Sequence, residues 1–353
     1  MSMENLETLG VPMRNTVNLY FVASPLQYLA ARAVAEHFEA GARQILVWYK
    51  PGVAPVVEPS EWDATVYMPW PRRDPLPGMC GRYRRLLENI DRVAGLVGTC
   101  DTLQIHSAVF DTEAINYFLR ALPVMCSART LHARILPDGI ISARRYPLSV
   151  LDQLFFCFRK LRRLTSKKLN YSCFNGDRIG SDAPFCDKIY VVHGIPHEYP
   201  PEKVVVLPPL VTRNDSVGED GQRKALVVGQ PLVGAGLVNK AFLEGISQQI
   251  YDWLLAQQFD VIDYKGHPKD PNLELCRNAY TVLELHEPLE TWMTKTRYDA
   301  VVGVRSSALL FARQVYPANT QIVAFGWDKI KFKSEAEART MKNVFTQCGV
   351  EIR

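Results

Sequence analysis

Short apolar runs alternate with helix-period stretches, stop at a polar break, and then begin again. This alternation constrains the chain more than any other feature. Residues 18–23 are apolar and end at Ser24-Pro25, residues 26–38 have helical spacing, and residues 44–49 are apolar again. A strand, turn, helix and strand in that order predict the opening of a parallel α/β sheet, whose strands are buried on both faces. Further strands are predicted at 102–106, 133–136, 188–192 and 203–207, with a helix over 111–122. Pro208-Pro209 then leads into a polar, turn-rich segment. After it come strands at 225–229, 259–264, 298–303 and 321–325, and helices at 239–257 and 333–348. The expected organisation is one doubly wound α/β domain over 1–210, a linker over 211–224 and a second such domain over 225–330. A C-terminal helix within 331–353 is expected to pack back on the first domain. The 353 residues fit two domains, at roughly 150 residues each.

Composition excludes several classes. With 47% apolar residues, the chain can bury enough surface to offset its ordering entropy, so it is not a disordered protein. The excess of 41 Lys and Arg over 37 Asp and Glu is too small to imply a nucleic-acid partner. No stretch approaches the roughly 20 apolar residues of a membrane span, and the N-terminal residues Met1 to Glu7 lack the basic start of a secretory signal. Eight scattered cysteines without a Cys-x-x-Cys pair read as reduced thiols in a cytoplasmic protein, with no structural zinc. Residues 155–168 combine aromatics with a run of Arg and Lys. That segment reads either as a peripheral contact with an anionic inner-membrane surface or as a solvated basic helix.

In open α/β sheets, ligands bind at the carboxyl ends of the strands, so the residues just after the strands carry the information. Asp138-Gly139 follows one strand, as an ordinary Asp-Gly turn or as a projecting carboxylate. Lys265-Gly266-His267-Pro268 follows another, and Pro268 stiffens the turn that aims His267. Arg305-Ser306-Ser307 opens a helix, where hydroxyls and free N–H groups suit an anion, or where Ser306 is simply the cap. Glu290 sits in the first turn of a further helix. It can accept from a ribose diol or complement the helix dipole. Neither Gly-x-Gly-x-x-Gly nor Gly-Lys-Ser/Thr occurs in a phosphate-loop context, which disfavours dinucleotide-dependent oxidoreductases and P-loop ATPases.

Taken in order, Asp138-Gly139, His267-Pro268, Glu290 and Ser306-Ser307 resemble the motifs of bacterial sialyltransferases and polysialyltransferases of the two-domain GT-B type. Those motifs are an acidic-acidic-Gly triplet, a His-Pro pair and a Ser-Ser/Thr pair. Val22 to Gln27 is similar to their opening strand and turn, and Gly229-Gln230-Pro231-Leu232 to the first strand of their second domain. The resemblance spans residues 17 to 325 as ordered short motifs. One departure is that Pro137 stands at the first acidic position. The resemblance implies two Rossmann-like domains facing across a cleft, the first on the acceptor side and the second holding the nucleotide sugar. The implied reaction is metal-independent, inverting transfer of sialic acid or a related sugar acid from a CMP donor to a glycan or glycolipid hydroxyl. The implied setting is synthesis of bacterial surface polysaccharide or lipopolysaccharide. Asp138 is then the base and His267 the group facing the departing phosphate. Gly229, Gln230, Pro268, Glu290, Ser306 and Ser307 lie on the CMP side, while Ser24, Gln27, His193 and Arg305 face the acceptor or the sugar carboxylate. Arg144 and Arg145 are either partners of that carboxylate or surface charge, and His197 accompanies His193. Two other readings stay open: a GT-B transferase using CMP-Kdo or a UDP-, GDP- or dTDP-sugar, and a non-catalytic polysaccharide-assembly protein.

Overall fold

The computed structural model describes residues 15–139, 145–210, 221–267 and 269–353, and two parallel sheets organise them. The first sheet is built from β1 (Thr16–Val22), β2 (Arg43–Trp48), β3 (Ala64–Tyr67), β4 (Thr102–Ser107), β5 (Thr130–Ile135), β6 (Cys186–Val192) and β7 (Val204–Leu207). Their order is β3-β2-β1-β4-β5-β6-β7. The helices of this domain are α1 (Pro25–His37), α2 (Gly81–Val97), α3 (Glu113–Asn116), α4 (Phe118–Met125) and α5 (Val150–Leu161). The expected helix over 111–122 is split between α3 and α4 at Tyr117. Most of the expected linker, residues 211–220, lies outside the described residues.

The second sheet holds β8 (Lys224–Val228), β9 (Val261–Lys265), β10 (Thr281–Val282), β11 (Ala300–Gly303), β12 (Gln321–Ala324) and β13 (Glu351–Ile352), in the order β10-β9-β8-β11-β12-β13. Around it lie α6 (Lys240–Ala256), α7 (Leu289–Lys295), α8 (Ser307–Val315) and α9 (Glu335–Gln347). Met341, Val344 and Phe345 of α9 are buried in the second core and β13 pairs with β12, so the C-terminal segment completes the second domain, while at the end of α9 the Cys348 thiol donates to the Gly194 carbonyl of the first domain (3.5 Å). The apolar face of α9 packs on the second domain because the exposed edge of β12 and the Trp327 ring, 5.0 Å from Phe345, offer the matching apolar surface.

The first strand shows why these apolar runs form parallel sheets. Val17, Leu19 and Phe21 point into one core, and Tyr20 and Val22 into a second core on the opposite face. A strand covered on both sides has no polar face to keep. Strand order reverses between β1 and β4 and again between β8 and β11. At such a point the connections leave in opposite directions and open a crevice above the strand ends. Ile195, just after β6, packs against the cores of both domains and ties the lobes together.

A buried charge network braces the other end of the first sheet. The Glu39 carboxylate receives the Arg134 guanidinium and the Tyr190 hydroxyl (2.8 Å), and Arg134 also donates to Asp187 (3.0 Å). Removing one member leaves the other charged and out of water. Arg134→Met is expected to destabilise the chain by about 3 kcal/mol or more. A urea midpoint unchanged from the parent would show that the network contributes nothing.

Candidate functional site

The carboxyl ends of β9, β8 and β11 lie side by side and deliver three of the expected segments to one edge. The Gly229 N–H donates to the Lys265 carbonyl (2.9 Å), and the Arg305 N–H donates to the Gln230 amide oxygen (2.7 Å). These bonds hold the three turns together. Gly229 is required for packing: a Cβ there would lie 2.4 Å from the Tyr264 hydroxyl. His267 and Ser306 emerge from strands two places apart, a separation on the order of 10 Å at the sheet edge. Pro268 lies outside the described residues.

Ser306 caps α8, its hydroxyl accepting from the Ala308 N–H at 3.3 Å. The cap function is therefore real, and it leaves the hydroxyl hydrogen free to donate. Ser307 is exposed. Together they present two hydroxyls where the dipole of α8 favours negative charge. His267 Nδ1 accepts from the Lys269 N–H (3.0 Å), so the neutral ring carries its hydrogen on Nε2. Partial burial pushes His267 below the usual imidazole range. The Lys269 ammonium adds to this, Asp270 opposes it, and Lys265 again adds to it.

The opposite wall comes from the first domain. Asp138-Gly139 follows β5, and Gly139 has a φ of +55°, a left-handed conformation that glycine adopts readily. A Cβ placed on Gly139 would lie 3.4 Å from Ser307 Cβ and 4.0 Å from the Leu26 side chain. The acidic turn of one domain therefore abuts the hydroxyl pair of the other. Glu290 lines the same narrow space with Gly139, Ile195 and Ser307. Its burial there raises the carboxyl above the usual range. Asp138 also sits near Tyr49, whose phenol is pushed well up by burial and further by the Asp138 charge.

Other expected residues are placed differently. The Arg305 guanidinium meets Glu337 (3.4 Å) and stacks 5.0 Å from the Phe332 ring centre, so it braces α9 against β11. Arg145 is paired with Asp177 (3.3 Å) and Asp182 within its own domain, and Arg144 lies outside the described residues. Gln27 is buried, and its amide oxygen accepts from Ala23 N–H (2.7 Å), while Ser24 caps α1 by accepting from Gln27 N–H (3.3 Å). That pair shapes the turn after β1. The His193 ring is exposed, and its carbonyl accepts from Gln314 across the domain interface (3.3 Å). His197, rather than His193, shares a small cavity with Pro137 and Gly139.

Sequence reasoning also missed a cavity of about 210 Å³ at the carboxyl ends of β3 and β4. Trp70, Arg72, Arg82, Arg159 and Arg178 line it together with Asp111 and Glu113. Trp70 stacks on Tyr49 with ring centres 4.6 Å apart, which connects this cavity to the neighbourhood of Asp138. Dispersed arginines far apart in sequence gave no local signal. Among the described residues, no group of three or more His, Cys, Asp or Glu side chains is placed to hold a metal ion, and no helix is long and apolar enough to cross a membrane.

Two parallel-sheet α/β domains with ligand-facing turns meeting across a cleft define the GT-B class. A crystal structure of an alpha/beta-galactoside alpha-2,3-sialyltransferase from Photobacterium phosphoreum shares that fold, with a TM-score of 0.56 at 10% identity over 96% of this chain and 99% of that one. A UDP co-structure of MnaA from S. aureus has a TM-score of 0.50 at 9% identity over 95% and 88%. Within the class, residues 207–324 match the family model for alpha-2,8-polysialyltransferase, a stretch that begins in β7 and ends with β12. No curated protein matches the chain. Together the family match and the shared fold support a sialyltransferase-like glycosyltransferase.

Proposed function

We propose that the chain transfers sialic acid, or a related sugar acid, from a CMP donor to a glycan or glycolipid hydroxyl in one inverting displacement that requires no metal. The observation that carries this reading is the approach of the Asp138-Gly139 turn to Ser307 across the cleft. It puts a carboxylate-bearing turn on one wall and an anion-binding helix start on the other. In this reading the CMP phosphate lies on Ser306, Ser307 and the start of α8. His267 Nε2–H donates to the departing phosphate, and Glu290 accepts from the ribose hydroxyls. Asp138 takes the proton of the acceptor hydroxyl as it attacks the anomeric carbon. The acceptor approaches along the first domain, where Trp70 offers an apolar platform for a sugar ring. A surface-polysaccharide or lipopolysaccharide acceptor would bring the protein to the inner membrane, with segment 155–168 as its contact.

The direct test is nucleotide selectivity followed by product mass. CMP is expected to raise the melting temperature where UDP and GDP do not, and a CMP-sugar with a panel of small acceptors is expected to give a product heavier by one sugar-acid residue. Stabilisation by UDP or GDP alone would assign the site to another donor. Ser306→Ala with Ser307→Ala is expected to weaken CMP binding by roughly a hundredfold or more, since each hydrogen bond to a charged group contributes about 1.5–3 kcal/mol and about 1.4 kcal/mol is tenfold. Unchanged affinity would remove both serines from the phosphate site. Glu290→Gln is expected to weaken CMP by roughly tenfold, the share of one such hydrogen bond. Because burial raises the Glu290 carboxyl, its contribution appears as pH rises through that raised value and is lost below it. CMP titrations at acid and neutral pH check the sign.

A further inference from the structure

We infer that α5 is a membrane-docking helix whose outward stripe inserts into an anionic lipid surface. The inference deepens the membrane part of the reading above, and its test needs neither donor nor acceptor. Leu151, Leu154, Phe155, Phe158 and Leu161 recur at the three- and four-residue spacing of one helix face, and each is 52 to 66% exposed. Such a stripe normally faces a core. Here it faces away from one.

The helix is nevertheless firmly seated by its other face. Phe156 is buried 5.0 Å from the Tyr171 ring and 5.2 Å from the Phe174 ring. Arg159 donates to the Asp111 carbonyl (2.9 Å), and Arg162 pairs with Glu113 beneath the Tyr83 ring. Ser149 and Asp152 cap its start reciprocally. The outward stripe is therefore not surface left bare by a poorly packed element. This also revises the sequence reading of 155–168: Phe156, Arg159 and Arg162 serve the fold, and the outward apolar face extends back to Leu151.

Charge identifies the occupant. Asp152 is the lone acid between residues 150 and 168, against Arg159, Lys160, Arg162, Arg163, Lys167 and Lys168. Lys160, Arg163 and Lys167 have no ion-pair partner among the described residues, while Lys168 pairs with Asp91. Apolar side chains bordered by unpaired cations fit acyl chains beneath anionic headgroups. A second copy fits less well, because a two-fold contact would bring the same cations against themselves. Arg159 also lines the first-domain cavity, so lipid docking would set the proposed acceptor side against the bilayer.

The test is co-sedimentation of the full chain with vesicles of phosphatidylcholine alone or with one-third phosphatidylglycerol. Binding is expected on the anionic vesicles, falling with added salt. Phe155→Ser with Phe158→Ser is expected to reduce it by about a hundredfold or more, since burying each ring contributes more than a factor of about ten. Lys160→Glu with Arg163→Glu is expected to reduce binding to anionic vesicles by about tenfold or more, from roughly fivefold per cation, and to leave neutral vesicles unaffected. Because every altered side chain is exposed, circular dichroism melting is expected to stay at the parent value. Equal binding to both vesicle types, or undiminished binding by either variant, overturns the proposal. So does a dimer in sedimentation velocity that the Phe155→Ser, Phe158→Ser variant dissociates without any vesicle binding.

Discussion

Asp138→Asn is expected to lower the rate of sugar transfer by about a hundred- to ten-thousandfold, the range contributed by a positioned general base. That range corresponds to about 3–5 kcal/mol in the barrier. The same substitution is expected to leave CMP affinity nearly unchanged, because the proposed nucleotide contacts belong to the second domain. The split between rate and affinity is the informative result. A mutant that lost both together would have disturbed the cleft; a mutant that lost neither would exclude Asp138 as the base. Asn keeps the shape of the side chain and the turn before Gly139, so it removes the proton acceptor with little else. Tyr49 is a poor substitute for the missing base, since burial, the larger cause of its raised phenol pKa, persists when the Asp138 charge is removed. Pro137 is buried and carries no ionisable group, so the carboxylate of that turn rests with Asp138 alone. Single-turnover product formation and a parallel CMP titration on the same protein supply both numbers.

The legible part of this fold was its apolar core. Buried parallel strands read as short runs of aliphatic and aromatic residues, and the later residues of β1, β6 and β8 follow that rule, whereas β4 alternates Leu103 and Ile105 with Gln104 and His106. The turns after them were legible for a related reason: a strand that ends in Asp-Gly or at a serine-capped helix announces its own boundary. α2 was missed because Arg82, Arg84, Arg85, Glu88, Asp91 and Arg92 mask its apolar stripe, although Leu86, Ile90, Val93 and Val97 follow helical spacing. β3 and β13 are short edge strands with too few residues to show a period. The contacts that no local pattern announced share another cause. Which way Arg305 turns depends on Glu337 of α9 and Phe332 just before it, both far along the chain. The approach of Gly139 to Ser307 has the same origin, since domain docking decides it and no local pattern records it.

His267→Ala is expected to cut turnover by about a hundredfold, the loss typical of one donor aimed at charge that develops in the transition state. How the residue acts is set by its surroundings. The Lys269 N–H occupies Nδ1, and partial burial, Lys269 and Lys265 all disfavour the imidazolium, against Asp270 alone. The free protein therefore holds His267 neutral at pH 7, with Nε2–H available. Protonation would put a second hydrogen on Nδ1, facing the Lys269 N–H. A hydrogen bond donated from Nε2 needs no added proton, so kcat/KM is expected to show no fall as pH rises through a value below the ordinary imidazole range and to stay level around neutrality. An imidazolium acid would instead make it fall as pH rises through that same value. His267→Gln adds a second discriminant, because a side-chain amide can donate a hydrogen bond but cannot deliver a proton. Partial recovery in His267→Gln relative to His267→Ala, together with a level neutral limb, is the expected outcome. A descending limb with no recovery would assign proton transfer to the ring, and an unchanged rate in His267→Ala would remove it from the reaction altogether.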